Sequence, residues 1–169
     1  MTTGPTAPIT PLTAAQRRIG AHLVCGLTNG EIASEEQLAH DTVTSHIRGM
    51  RQNLHCPPRS TRAVLAHSLL SHKQVPPPPL PLLRRPFEPD QDDQRLIRAN
   101  AEHSRPADVA RAARVPASEL RTRTDTLARR AGANNTTHLI GLAHTRGLFG
   151  GQGATASVQP QAEPAGAAR

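Results

Sequence analysis

The stretch TNGEIASEEQLAHDTVTSHIRGM, residues 28–50, decides the fold of this chain. It opens with Thr28 and Glu31 at capping-box spacing, in which the Thr hydroxyl accepts from a free amide at a helix start and the Glu reaches back. A helix is therefore predicted from about Thr28 to Glu36. Apolar side chains then recur at intervals of four, three and four residues, which is typical of the inner stripe of a second helix. They are Val43, Ile47, Met50 and Leu54.

Two more helices are predicted around this pair. On the N-terminal side, residues 16–25 place Ile19, Leu23 and Val24 on one face. On the C-terminal side, Pro57-Pro58 ends the preceding helix, and residues 61–73 form a fourth helix capped by Ser60 or Thr61.

The same pattern returns in looser form at an offset of 77 residues. Leu12–Arg18 matches Pro89–Arg95, Glu31–Ala33 matches Asp108–Ala110, and Thr42-Val43 matches Glu119-Leu120. In this second copy we expect helices over 91–102, from Pro106, over 117–130 and over 137–147, the last capped by Thr136 or Thr137. The expected fold class is all-α, with two tandem tetrahelical helix-turn-helix modules at residues 12–73 and 89–149.

Residues 74–88 are expected to form a Pro-rich linker, because proline lacks a donor and restricts the residue before it. In polyproline II form, 75–86 would be a semi-rigid spacer reaching roughly 35 Å at ~3.1 Å per residue. A docking ligand for a proline-binding domain is the alternative. Residues 1–11 and 150–169 lack periodic apolar content and are expected to be disordered tails.

Composition narrows the function classes. The 169 residues carry a net charge of +7, and Lys73 is the single lysine among 20 basic residues. An arginine surface suits phosphate contact and guanine recognition, although a GC-rich coding sequence gives the same bias. With Phe87 and Phe149 as the only aromatic residues, single-strand binding by base stacking is nearly excluded.

Neither an enzyme nor a metalloprotein is indicated. Six histidines of the first copy lack a carboxylate or Cys partner at recurring ligand spacing; they are His22, His40, His46, His55, His67 and His72. Cys25 and Cys56 lack C-x-x-C spacing, and no phosphate-binding glycine loop or nucleophile motif is present. We therefore expect no catalytic residue, metal, cofactor or small-molecule substrate.

A cytoplasmic location without membrane contact is expected. Residues 1–5 lack the basic start of a signal peptide. No run approaches the ~20 apolar residues of a membrane helix.

The first copy closely resembles the LuxR-type (GerE-like) helix-turn-helix domain of bacterial transcription regulators. The resemblance covers residues 12–70 through Leu12-Thr13, Gly26-Leu27-Thr28-Asn29-x-Glu31-Ile32-Ala33 and Thr42-Val43-x-x-His46-Ile47-x-x-Met50-x-x-x-Leu54. The second copy looks like a divergent member, best matched at Arg129-Arg130-Ala131-Gly132-Ala133-x-Asn135-x-Thr137. In that family the third helix enters the major groove and the fourth often mediates dimerisation, which implies these roles for residues 40–54 and 61–73.

Both copies depart from the family pattern. In the first, Glu36 stands where a core Leu is usual, Ala39 replaces a Ser cap, and Thr44 replaces a common Lys. In the second, His103-Ser104 stands for Gly-Leu, Arg123 for the His and Thr124 for a Leu. Such changes are consistent with an altered sequence preference, or with a second copy kept as a packing partner.

The predicted DNA-binding residues lie on the outward faces of the two third helices. They are Asp41, Thr42, Thr44, Ser45, Arg48 and Gln52 in the first copy and Ser118, Arg121, Thr122, Asp125 and Arg129 in the second. Arg makes paired bonds to guanine, while Thr and Ser contact bases or phosphate. Thr28 and Asn29, at a helix start, would add phosphate contacts. An ordinary solvated helix face is the alternative interpretation.

Sequence-specific binding to duplex DNA, as a transcriptional regulator, is the expected function. The fourth helices are expected to pack together within one chain as a pseudo-dimer, or else to form a homodimer. The alternative function is a protein-interaction adaptor that binds a sensor, sigma factor or other regulator. Positive charge over the third helices favours DNA, whereas an exposed apolar patch favours a protein partner.

Overall fold

The computed structural model describes residues 8–83 and 85–150, which form eight α-helices and no strand. They are α1 Ala14–Val24, α2 Asn29–Glu36, α3 His40–Asn53, α4 Arg62–Ser71, α5 Gln91–Glu102, α6 Pro106–Ala113, α7 Leu120–Ala131 and α8 Thr136–Thr145. The predicted all-α class is confirmed. We call α1–α4 the N-terminal half and α5–α8 the C-terminal half. None of the described helices is long and apolar enough to cross a bilayer.

Local caps explain where several helices begin. The capping box predicted at Thr28 and Glu31 is present, and Thr13 with Gln16 forms another at the start of α1. Asp90 caps α5 in the same way, and the predicted Thr61 cap of α4 is present. Each cap satisfies an amide that the first helical turn leaves free.

Two helix starts in the C-terminal half differ from the sequence prediction. Instead of starting at Ala117, α7 begins at Leu120, because the amide of Glu119 donates to the Pro116 carbonyl at 2.9 Å and closes a turn first. The cap of α8 is Asn135, whose Oδ1 accepts from the His138 amide at 3.0 Å, and neither Thr136 nor Thr137.

The predicted N-terminal tail is too long. Within it, the Thr10 amide donates to the Asn53 carbonyl at 2.9 Å, and a ring nitrogen of His55 lies 3.3 Å from the Pro8 carbonyl oxygen. Residues 8–11 are therefore attached to the end of α3. The remaining parts of both predicted tails, 1–7 and 151–169, lie outside the described residues.

Helices α4 and α8 meet at the centre of the molecule. Each also packs on the first helix of the other half, α4 on α5 and α8 on α1. Buried side chains from both halves share one apolar cluster, among them Leu65, Leu69, Leu139 and Ile140. The contact predicted between the two fourth helices is thus present, with α2–α3 and α6–α7 on either side.

Gly141 allows an especially close approach at this centre. A Cβ atom there would lie 2.5 Å from the Val24 carbonyl oxygen and 2.8 Å from Cγ of Pro78. Because any side chain would push α8 away from α1 and from the proline segment, this position requires glycine.

The two halves differ in how the third helix is seated. In the N-terminal half, Gly49 lets α3 approach α1 so closely that a Cβ atom would meet Nε2 of Gln16 at 2.9 Å. Thr126 holds the corresponding position in α7. There α7 packs on α8, and an open cleft of about 200 Å³, lined by Leu96 and Thr126, lies between α5 and α7.

The interpretation of 75–86 as a free spacer is wrong. The hydroxyl of Thr145 donates to the Pro78 carbonyl at 2.6 Å, so the proline segment is attached to α8. Further along, Phe87 is buried beside the guanidinium groups of Arg146 and Arg130, at 5.3 and 5.8 Å from the ring centre. The segment folds as part of the molecule, and within it Leu82 is fully exposed.

Candidate nucleic-acid interface

The outward face of α3 is polar and open. Asp41, Thr42, Ser45, Arg48 and Gln52 are all exposed, as predicted. Short hydroxyl and amide groups with one guanidinium are suited to hydrogen bonds with base edges.

Thr44 is placed differently from its predicted neighbours. It is half-buried, its hydroxyl donates to the His40 carbonyl at 3.1 Å, and the same oxygen accepts from Nδ2 of Asn29 at 3.2 Å. Thr44 therefore ties α3 to the start of α2.

The start of α2 is already satisfied from within the protein. The amide and hydroxyl of Thr28 both donate to one carboxylate oxygen of Glu31, at 2.7 and 2.8 Å. The bond from the Thr28 amide lowers the pKa of Glu31. Asn29 accepts from the guanidinium of Arg62 and donates to Thr44. Since Glu31 occupies the positive end of the helix dipole, neither Thr28 nor Asn29 is free for a phosphate in this structure.

Glu36 is held by two cationic partners that the sequence analysis did not identify. One carboxylate oxygen accepts from Nε of Arg18 at 2.9 Å, and the other lies 3.0 Å from Nε2 of His22. The Arg18 bond is the main reason that the pKa of Glu36 is lowered. A polar contact between α1 and α2 thus replaces the core Leu usual in LuxR-type domains. The signal was the spacing of Arg18 and His22, which share one face of α1.

The outward face of α7 carries most of the predicted second set. Arg121, Thr122, Asp125 and Arg129 are exposed on the helix. Arg121 lies 3.8 Å from the Asp125 carboxylate, and Arg129 donates to the Thr126 hydroxyl at 3.3 Å. Ser118 is also exposed, but it lies in the turn before α7 rather than on the helix.

Charge separates the two outer surfaces sharply. Residues 29–53 contain four carboxylates and two arginines, whereas residues 105–131 contain three carboxylates and seven arginines. The seven are all exposed: Arg105, Arg111, Arg114, Arg121, Arg123, Arg129 and Arg130. Positive charge is therefore concentrated on α6 and α7.

Several of these arginines are not held by acids. Arg111, Arg121, Arg123 and Arg130 have carboxylate partners. Within residues 8–83 and 85–150, Arg105, Arg114 and Arg129 form no salt bridge. The sequence analysis missed the contribution of α6, although closely spaced arginines around it were the available signal. We call this surface, formed by the seven arginines, the arginine face.

Two histidines meet at the contact between α4 and α8. Nδ1 of His67 lies 2.9 Å from Nε2 of His144, and the Phe149 ring packs on both. Burial, and then the neighbouring His67, lower the pKa of His144 to about 4. Among the described residues, no three His, Cys, Asp or Glu side chains gather as metal ligands. The pair therefore belongs to the packing between the halves.

Comparisons of the chain with protein-family models, with curated proteins and with solved structures found no match.

Proposed function

We propose that the chain is a sequence-specific duplex-DNA-binding transcriptional regulator. In this proposal, α1–α4 and α5–α8 are tandem helix-turn-helix modules joined by the proline-rich segment, and α3 and α7 enter the major groove. The equal spacing of helix starts supports the duplication, since Ala14 and Gln91, like Asn29 and Pro106, are 77 residues apart. The protein acts in the cytoplasm and has no enzymatic activity.

The arginine face is the observation that carries this proposal. Guanidinium groups bind phosphate with paired donors, and their contact with duplex DNA releases condensed counterions. Arg105, Arg114 and Arg129 are exposed without a carboxylate partner among the described residues, so they need no ion pair broken before binding. On α7, Arg121 and Thr122 lie at the leading end, where base contacts are made in helix-turn-helix proteins.

The surface of α3 makes a smaller contribution. Its exposed Thr42, Ser45 and Gln52 carry no charge, and Asp41 repels phosphate. We therefore assign most of the affinity to the C-terminal half and expect α3 to add sequence preference.

Selection of bound fragments from random duplex DNA by the full chain tests the proposal. On the enriched duplex, Arg129→Gln and Arg114→Gln should each weaken binding by about 5- to 150-fold, corresponding to ~1–3 kcal/mol. They should also reduce the salt dependence. Arg17→Gln, an exposed residue of α1, is the matched control and should bind like the parent. Failure to enrich any fragment, or a flat dependence between ~50 and ~200 mM salt, contradicts DNA binding.

The acidic surface of α2–α3 favours a second candidate, a protein-interaction adaptor. Glu31, Glu35 and Asp41 are exposed there, and such a surface suits a basic region of a sensor, sigma factor or other regulator. An adaptor would give no enriched duplex.

A further inference from the structure

An open groove of about 320 Å³ lies between the two halves. It is lined by first-turn or capping residues of four helices, namely Thr61 of α4, Pro106 of α6, Leu120 of α7, and Thr136 and Thr137 of α8. We call it the inter-half groove. The turn between α5 and α6 closes one side, where the hydroxyl of Ser104 accepts from the Thr61 amide at 3.2 Å.

The groove is open because two equivalent positions carry side chains of different length. Arg62 is the first residue of α4, and its guanidinium reaches the turn between α1 and α2, where it donates to the Leu27 carbonyl and to Asn29. The first residue of α8 is Thr136, which is too short to reach the turn between α5 and α6. The contact between the halves is therefore filled on one side of the molecule and empty on the other.

Electrostatics favour an anion in this space. The first turn of a helix has free amides and carries the positive end of the helix dipole, and here four such turns surround one volume. No acidic side chain is among the described residues that line it. The nearest first-turn acids are engaged elsewhere, because Asp108 pairs with Arg111 and Glu119 with Arg123.

Thr137 provides an independent indication of a ligand. It lines the groove, it is only 8% exposed, and its hydroxyl makes no hydrogen bond to another described residue. A buried hydroxyl without a partner is costly, and valine would fill the same volume. Ser60, next to the lining residue Thr61, likewise has a buried hydroxyl without a partner.

We propose that the inter-half groove binds a small anion bearing a carboxylate or phosphate group. The hydroxyls of Thr136 and Thr137 and the first-turn amides of α4 and α8 are the donors. Val109 and Leu120 provide an apolar wall for the carbon atoms of an organic anion. The bound anion connects α4 to α6, α7 and α8, and so fixes the position of one half against the other.

Amide spectra of the full-length protein test this site without DNA, so the outcome is independent of the proposed function. Titration with inorganic phosphate, and separately with acetate, is done at constant ionic strength against chloride. We expect saturable shifts at the amides of Arg62, Ala63, Thr136 and Thr137. The arm with the lower dissociation constant tells whether phosphate or carboxylate is preferred.

Two variants make the test specific. Thr137→Val should weaken binding at least tenfold, and Thr136→Glu should abolish it by supplying an internal carboxylate. Thr42→Val, on the exposed face of α3, is the matched control and should bind like the parent. Shifts that do not saturate, that appear equally at the first turns of α2 and α3, or that persist unchanged in Thr137→Val would overturn the proposal. Helical content checks the fold of each variant, and Thr137→Val decides alone if Thr136→Glu unfolds.

Discussion

Gly141 and Gly30 both lie in helices, but their surroundings are opposite. A Cβ atom at Gly141 meets a backbone oxygen at 2.5 Å, whereas at Gly30 no atom lies within 4 Å. We predict that Gly141→Ala lowers the free energy of unfolding by about 1–3 kcal/mol, because α8 must move away from α1. Gly30→Ala is the control and should raise it by up to ~1 kcal/mol, since alanine favours the helix. Urea denaturation measures both; equal effects would contradict the observed packing of α8.

His144 makes stability depend on pH. Its pKa is about 4 in the folded protein against 6.5 in the unfolded chain, chiefly because it is buried. A depressed folded pKa stabilises the fold above the unfolded value, and this contribution is lost as pH falls from 6.5 towards 4. The free energy of unfolding should therefore decrease over this range, and less steeply in His144→Leu. Identical slopes in both proteins would exclude His144 as the source.

At the scale of elements, the proline-rich segment provides a direct comparison of buried and exposed side chains. We predict that Phe87→Ala destabilises the fold by about 3 kcal/mol, because a buried ring and its contacts with Arg130 and Arg146 are lost. Leu82→Ala should leave stability within ~0.5 kcal/mol, because this side chain is fully exposed. Thermal and urea unfolding of the two variants give the answer. Two neutral substitutions would restore the interpretation of the segment as a free spacer.

The elements that the sequence predicted well are those with local signals. The bounds of α5 were predicted, and so was the start of α6, because Pro106 is a strong start signal within a few residues of the helix. The start of α7 was missed because a turn over Pro116–Glu119 precedes the helix and ends in similar backbone geometry. At α8, Asn135 competed with two threonines for the cap, and the sequence alone gave no reason to prefer it.

Long-range contacts account for what the sequence did not predict in the candidate interface. Arg62 occupies Asn29 from 33 residues away, which removes a predicted phosphate contact. Glu36 depends on Arg18, also on another helix. The arginine face itself was only partly foreseen, since which arginines share a surface depends on how α6 and α7 pack. The outward positions of α3 followed from periodicity alone, and all but Thr44 are exposed.

At the scale of the whole molecule, the contact between α4 and α8 places both third helices in a single chain. The fourth helices are buried against each other, and Leu69, Leu70, Ile140 and Leu142 are therefore not available to a second copy. The two outer surfaces also differ in charge, so the two half-sites that they bind should differ in sequence. A monomer that binds an asymmetric site is the consequence.

The mass of the complex with an enriched duplex, measured by light scattering with the full chain, tests this central claim most directly. The account predicts one chain of 18.1 kDa per duplex, with protection of two dissimilar half-sites about one DNA turn apart. Two chains per duplex, or protection of a single half-site, would contradict it.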